Sequence, residues 1–458
     1  QLMVMQASGG VMTKEYIDGS PIRVLASGPA GGVIGSAHTG RAKQSPNLLC
    51  VDMGGTSYDM SIVLNGAAPA TAGWNMHHRY LVGVPMVQVE TLGAGGGSIC
   101  QINAGEVQVG PRSAGSEPGP ICYGRGGTEP TVTDALLMLG ILSADAEFAG
   151  GSFSLQRAGV VEAFQKLGDQ MGYSAEDAAY DCWRVVNANM IQAIRRATAG
   201  KGIDPKEMVM LAYGGNGPAF AAVHADALGI TKVLVPKASP TFSALGTLVA
   251  KPTIDEERSC TCSVGSPDLD KLKSLWQQLE ARADKYFADA NFTRDKVNFH
   301  YQVNMRYAGQ NFAVSFEMYQ CRGSQDYLFL NDAFGEKALQ AFNKRHMEEF
   351  GHIREMELPE IIGVRLVSSV DTAAPPVGAG FSAPSVTATP MKIRRANLGD
   401  GYQETPVFDG DKLRPGHEIT GPAVIEETFT TIVVYPGWKV CVDDSGDYEM
   451  RKRQQSAS

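Results

Sequence analysis

The sequence predicts an α/β fold, followed by a mixed α+β module that is rich in strands. Two continuous apolar runs, residues 48–52 and 209–213, have the length and composition of buried strands. Each run leads into a glycine-rich turn, and a helix and another strand follow the second turn, which is the order typical of α/β folds. After residue 255, shorter segments of alternating polarity replace these runs. We therefore predict one domain at residues 1–255 and another at 256–458.

The first glycine turn follows the predicted strand 48–52, which ends in Asp52. Main-chain N–H groups in such a turn can approach phosphate oxygens because glycine has no β-carbon. Asp52 is a candidate catalytic residue and ligand of Mg²⁺, which prefers carboxylate oxygens and water. The alternative is a tight hairpin turn into a strand at 60–64, and the turn alone does not decide between the two. The candidate phosphate-binding residues are Gly54, Gly55, Thr56 and Ser57.

The second glycine turn follows the strand at 209–213 and opens a predicted helix at 219–228. A turn without side chains suits the flat adenosine moiety, and its alternative is a closely packed junction between strand and helix. The candidate adenosine-binding residues are Gly214, Gly215 and Gly217. Two glycine turns, each delivered by a buried strand, predict a single nucleotide cleft between them.

A third glycine cluster lies within residues 85–130, which show little periodicity and read as a long loop of the kind that is usually functional. Its small residues could form an anion-binding nest or a loop packed against its neighbour, and the sequence favours neither interpretation over the other. Its candidate cofactor-binding residues are Gly95, Gly96 and Gly97. For Arg112 and Glu129 in the same region, an ordinary ion pair is favoured over a phosphate-binding fork.

Composition excludes several classes of partner. The net charge is −9 and no long basic run occurs, so nucleic acid and anionic membranes are poor partners. No apolar run reaches the roughly 18 residues of a transmembrane helix. The eight cysteines are dispersed, which favours free thiols in a reducing cytoplasm over a disulfide framework. A metal site is not favoured at His77–His78, because adjacent residues of a strand point to opposite faces. Nor is one favoured at Cys260 and Cys262, because no second pair follows at zinc-site spacing.

The paired glycine turns resemble those of the actin/sugar-kinase/heat-shock-protein ATPase superfamily. A longer series of motifs occurs in the order seen in the ATP-binding A-type subunit of the hydantoinase/oxoprolinase family. The resemblance extends over nearly the whole chain, and its motifs lie at residues 27–33, 52–57, 93–98, 113–120, 123–134, 214–218 and 421–426.

This resemblance implies an ATPase-like fold in which two α/β lobes clamp ATP and each lobe gives one phosphate loop. The loop after Asp52 corresponds to the second of the two. The family's first loop has no counterpart in the chain, so we expect the N-terminal portion that carries it to lie elsewhere. The family also commonly has a histidine two residues after the proline of the adenosine turn, where this chain has Phe220.

Family members use ATP to activate a carbonyl or amide oxygen. The sequence around Tyr58 and at 74–79 is most similar to ATP-binding subunits of acetone carboxylases. That resemblance implies phosphorylation of the acetone enolate, of bicarbonate or of both to form acetoacetate, in a hetero-oligomer whose partner subunit carries a further metal. The alternatives are an ATP-dependent hydantoinase or 5-oxoprolinase that opens a cyclic amide, an acetophenone-type carboxylase subunit, and a non-catalytic scaffold subunit.

Overall fold

A computed structural model describes residues 2–71, 74–76, 80–146, 154–323, 326–375, 377 and 383–453. The strands in this part of the chain are β1 (Met3–Met5), β2 (Val11–Thr13), β3 (Leu48–Met53), β4 (Tyr58–Val63), β5 (Ala70–Thr71), β6 (Trp74–Met76), β7 (Tyr80–Val82), β8 (Met86–Val87), β9 (Val89–Leu92), β10 (Ser98–Asn103), β11 (Glu106–Ser113), β12 (Val209–Tyr213), β13 (Lys232–Val235), β14 (Thr253–Ser263), β15 (Val297–Arg306), β16 (Val314–Arg322), β17 (Glu360–Val370), β18 (Val386–Thr387), β19 (Lys392–Asn397), β20 (Tyr402–Asp409), β21 (His417–Thr420), β22 (Ala423–Glu426), β23 (Thr431–Val434), β24 (Trp438–Val442) and β25 (Tyr448–Lys452). The α-helices are α1 (Lys14–Asp18), α2 (Ser27–Ala42), α3 (Val132–Met138), α4 (Val160–Asp169), α5 (Ala175–Ala199), α6 (Gly217–Leu228), α7 (Phe242–Val249), α8 (Leu269–Asp289) and α9 (Phe334–Phe350).

The chain forms two compact units, and each is assembled from separate stretches of sequence. The minor unit comprises Gln1–Ser27, Ala72–Met86 and Val249–Ala374, and the major unit comprises Gly28–Thr71, Val87–Leu248 and Pro375–Ser458. The division expected at 255/256 is a division of the linear sequence and stays a prediction. The change of texture near that point does fall close to Val249, where the chain passes from one unit to the other.

A nine-stranded sheet forms the centre of the major unit, in the order β18-β21-β24-β25-β13-β12-β3-β4-β9. Three of its strands, β3, β12 and β13, are parallel, while β4 returns antiparallel beside β3. Every residue of β3 except Asp52 is buried, which explains the continuous apolar run in the sequence. Helices α5 and α6 share one hydrophobic cluster with β3 and β12. The parallel strands therefore end together beside both glycine turns.

The minor unit contains a four-stranded antiparallel sheet in the order β14-β17-β15-β16. Strand β15 alternates between buried and half-buried residues along its whole length, as the alternating polarity predicted. The buried sides of α8 and α9 complete its hydrophobic cluster, in which Trp276 and Tyr301 are fully buried. This unit gives the α+β character expected after residue 255.

The predicted α/β fold class is confirmed, but one local prediction was wrong. Residues 85–130 are not one long loop, because they contain the antiparallel hairpin of β10 and β11. Only Val109 and Gly110 of β11 are buried, so this strand lacks a strong apolar pattern.

Composition gave expectations about the cysteines and about membrane-spanning helices, and the structure describes both features. All eight cysteines are free, and five of them are buried. Among the described residues, no helix has both the length and the apolar character needed to cross a membrane.

Candidate functional site

The turn 54–57 joins β3 to β4 and is closed by a hydrogen bond from Gly54 N to Ser57 O at 3.2 Å. Gly55 and Thr56 at its tip are exposed, and their amides donate to no acceptor in the described part of the chain. A β-carbon added at Gly54 or Gly55 would meet nothing within 4 Å, so protein packing does not require these glycines. The turn thus offers two amide donors that no acceptor in the described part of the chain uses.

Two carboxylates flank this turn. Asp52 on β3 pairs directly with Asp59 on β4, so their side chains lie on the same face of the sheet. Burial and, to a smaller extent, the negative charge of Asp59 raise the pKa of Asp52, a hydrogen bond from Ser243 opposes the shift, and the net pKa is about 6. Asp59 accepts hydrogen bonds from Thr91 Oγ1 at 2.6 Å and Ser57 Oγ at 3.3 Å. Sequence reasoning assigned no role to Asp59, although the register of a four-residue hairpin turn places it opposite Asp52.

The second glycine turn contacts the first. The amide of Asn216 donates to Met53 O at 3.0 Å, and its Nδ2 donates to Gly54 O at 3.2 Å. Gly214 has a φ of +81°, and its main chain exchanges hydrogen bonds with Ser239. The structure therefore brings together the two turns that the sequence predicted to share a cleft. It adds Asn216 as the side chain that links them, which the sequence gave no reason to single out.

The glycines at 95–97 support the first turn rather than facing solvent. The amides of Gly96 and Gly97 donate to Gly54 O and Gly55 O, and Gly95 N donates to Ser98 Oγ. All three residues are buried. A β-carbon at Gly95 would lie 2.7 Å from Gly55 O, so this glycine is needed for close packing. The amides of Gly95, Gly96 and Gly97 all donate within the protein, so none of them is available for the predicted binding of a cofactor. These contacts are those of a glycine loop packed against its neighbour.

The turn between β22 and β23 contacts the second glycine turn from a distant part of the chain. Thr430 Oγ1 donates to Gly215 O at 2.9 Å. Phe429, at the tip of this turn, is 60% exposed. A cavity of about 260 Å³ lies between this tip and the second glycine turn. The sequence placed residues 421–434 in a separate domain, so it gave no sign of this contact.

Other candidate residues fall outside the site. Arg112 and Glu129 form the expected exposed ion pair, with hydrogen bonds of 3.1 and 2.8 Å. Cys260 and Cys262 lie on β14 as predicted, and the described residues contain no cluster of three or more His, Cys, Asp or Glu side chains suited to a metal. His77 and His78 lie outside the described residues. Phe220, at the family's histidine position, is fully buried in α6.

The order of the motifs agrees with a direct comparison to protein families. Residues 1–256 match the model of the hydantoinase/oxoprolinase family, and residues 266–452 match the hydantoinase/oxoprolinase C-terminal domain. The chain belongs to the hydantoinase/oxoprolinase family.

Relatives within this family include both lactam-cleaving and carboxylating enzymes. The chain is 35% identical to caprolactamase subunit alpha of Pseudomonas jessenii over 97% of its own length and 64% of that protein. The solved structure of ATP-dependent caprolactamase matches with a TM-score of 0.80 and 33% identity, over 98% of this chain and 65% of that one. Nucleotide-free acetone carboxylase matches with a TM-score of 0.79 and 26% identity, over 98% of this chain and 64% of that one. The family thus contains ATP-dependent enzymes, and the present chain spans about 64% of the length of the relatives it matches.

Proposed function

We propose that the major unit binds the phosphates of ATP at the turn 54–57 and the adenosine at Gly214, Gly215 and Gly217. The observation that carries this proposal is the free pair of amides at Gly55 and Thr56 beside the carboxylate of Asp52. Such amides bind anions through fixed partial positive charge. The site also lies at the carboxyl ends of parallel strands, where open α/β sheets bind their ligands.

Asp52 and Asp59 fit a Mg²⁺ ion that accompanies ATP. Burial and the neighbouring Asp59 carboxylate both raise the pKa of Asp52, and a bound cation would relieve the repulsion between the two carboxylates. Mg²⁺ in phosphate-transfer sites is usually held by one or two carboxylates together with water and substrate phosphates. When bound, the ion would offset the negative charge of the phosphates.

The chemistry at this site is phosphoryl transfer to an oxygen of the substrate. The amides of Gly55 and Thr56, with the hydroxyls of Thr56 and Ser57, hold the phosphates, and Asp52 positions them. Such a transfer depends on positioning and charge stabilisation, so it requires no covalent nucleophile from the protein. Phosphorylation makes that oxygen part of a phosphate leaving group on the substrate carbon.

The acceptor oxygen belongs to a small carbonyl compound, and two substrates follow from the resemblances. In the first, acetone and bicarbonate are activated and joined to acetoacetate with partner subunits, one of which carries a further metal. In the second, the oxygen of a cyclic amide is activated before the ring is hydrolysed. The identity of 33% to caprolactamase, against 26% to acetone carboxylase, favours the cyclic amide.

One assay separates these substrates. ATP turnover by the assembled enzyme is measured with acetone plus bicarbonate, with caprolactam and with 5-oxoproline, and the Asp52→Asn variant serves as control. Stimulation by acetone and bicarbonate alone supports the carboxylase, and stimulation by a lactam supports the amide hydrolase. Equilibrium dialysis of the chain with ATP tests the shared proposal, because absence of ATP binding supports a scaffold subunit.

A further inference from the structure

The cavity beside the second glycine turn has the dimensions of a site for one flat ring system. Its volume of about 260 Å³ falls just below the roughly 300–1,000 Å³ of ordinary ligand pockets. A whole nucleotide exceeds it, whereas a purine base fits. Its wall includes the rings or aliphatic side chains of Tyr123, Leu142, Leu155 and Phe429. An apolar wall of this kind binds a base through its faces rather than its edges.

The exposed ring of Phe429 is carried on a fixed main chain. The turn is closed by Glu427 N donating to Thr430 O at 3.0 Å. On either side of the ring, Thr428 Oγ1 donates to Asp411 at 3.1 Å and Thr430 Oγ1 donates to Gly215 O at 2.9 Å. An exposed aromatic side chain on a constrained turn loses little conformational entropy when a ligand stacks on it. The constrained main chain therefore holds the Phe429 ring in a position where a ligand can stack on it.

Part of the polar capacity of the cavity is used within the protein. Thr133 Oγ1 donates to Gly96 O at 2.8 Å, Thr430 Oγ1 to Gly215 O, and one Nδ2 proton of Asn216 to Gly54 O. No hydrogen bond within the described residues uses Asn216 Oδ1 or Thr431 Oγ1, so both can meet the edge of a base.

Asn216 connects the cavity to the phosphate-binding turn. Its side chain lines the cavity and also binds Gly54 O at the start of that turn. A nucleotide whose base lies in the cavity and whose phosphates lie at Gly55 therefore runs along this one side chain.

We infer that the purine base of the nucleotide stacks on Phe429 in this cavity. The inference rests on the proposed binding of ATP. It assigns to residues 428–431 a role in nucleotide recognition.

The test compares two ligands with matched variants of the chain. Binding of ATP and inorganic tripolyphosphate is measured by isothermal titration calorimetry for the wild type, Phe429→Ala, Phe429→Trp and Phe312→Ala. Phe312 is a control because it is 67% exposed and lies in the minor unit. Loss of the stacking ring lowers ATP affinity about tenfold, since one stacked base contributes a factor of about 5 to 150. Tripolyphosphate affinity stays unchanged, and Phe429→Trp retains ATP affinity.

Each contrary result has a distinct meaning. Equal ATP affinity in the wild type and Phe429→Ala overturns the stacking role while leaving ATP binding intact. If the wild type binds neither ATP nor tripolyphosphate, the proposed function and this inference both fail.

Discussion

Gly214 lies directly against the carboxylate of Asp52. A β-carbon at this position would overlap Asp52 Oδ1 and would lie 2.6 Å from Met53 O. The φ of Gly214 is +81°, a backbone conformation that other residues adopt only under strain. The carboxylate of Asp52, at the end of β3, therefore determines the path of the second glycine turn.

We expect Gly214→Ala to destabilise the protein by about 2 kcal/mol or more, because strain and steric overlap act together. Chemical unfolding measures the loss. The matched control is Gly215→Ala, where the nearest atom to an added β-carbon is Phe429 O at 4.0 Å. Equal stability of the two variants would show that the turn relaxes away from Asp52.

Asp52→Asn is expected to stabilise the isolated chain at neutral pH. The pKa of Asp52 is raised from 3.8 to about 6 in the folded protein, so the carboxylate costs stability as pH rises through that window. The variant should therefore melt higher than the wild type at pH 7.5, and the two should converge below pH 3.8.

The Asp52→Asn variant also tests the proposed binding of Mg²⁺. Added Mg²⁺ should raise the melting temperature of the wild type at pH 7.5 and leave Asp52→Asn unchanged, since ligand binding stabilises only the form that binds. ATP turnover should rise with pH through about 6 in the wild type as Asp52 loses its proton. An equal response of both proteins to Mg²⁺ would remove Asp52 from the proposed ligands.

His224 makes the major unit sensitive to acid. It is fully buried, its Nδ1 lies 2.9 Å from Tyr58 Oη, and burial lowers its pKa from 6.5 to about 3. The unfolded chain takes up the proton first, so the stability contributed by neutral His224 is present above pH 6.5. It is lost as pH falls from 6.5 towards 3, by about 1.4 kcal/mol per pH unit.

We expect His224→Gln to reduce the slope of unfolding free energy against pH within that window. The amide oxygen of glutamine still provides an acceptor for Tyr58. The control is His417→Gln, which removes a half-buried histidine of β21. An unchanged slope in His224→Gln would mean that other groups cause the acid sensitivity.

Asp134 fixes the loop that precedes α3. Its buried carboxylate accepts hydrogen bonds from the amides of Ile121, Cys122 and Thr131 at 3.1, 2.7 and 2.9 Å, and from Thr131 Oγ1 at 2.8 Å. Asp134→Ala leaves these donors buried without an acceptor and should cost about 3 kcal/mol or more. Thermal unfolding against the exposed control Asp145→Ala checks this value. A loss below about 1 kcal/mol would mean that water replaces the carboxylate.

The sequence was sufficient to predict the elements that depend on local pattern. Residues 209–213 form β12 as expected, and the glycine turns at 54 and 214 do meet. A continuously buried strand is visible in the sequence as an apolar run, and a turn without β-carbons is visible as a run of glycines. The hairpin of β10 and β11 left no such trace, because its outer strand is mostly half-exposed and the alternation of its polarity stops at Gly110 and Pro111.

The parts of the candidate site that the sequence did not predict depend on contacts between residues that are far apart in the chain. Thr430 binds the carbonyl of Gly215, and Asn216 binds that of Gly54. Neither donor has an unusual sequence context, since threonine and asparagine are common in turns. The glycines at 95–97 were ambiguous for the same reason, because a glycine needed for close packing and one needed for a ligand look alike in sequence.

Strand β25 occupies the interior of the nine-stranded sheet, paired with β13 on one side and β24 on the other. The strands β18, β21 and β24 join the rest of the sheet only through it. During synthesis, β13 leaves the ribosome long before β25. At roughly 5–20 residues per second, its edge stays unpaired for on the order of 10–40 s. An open edge is a template for pairing with other chains, so this delay is when the newborn protein most needs chaperone protection.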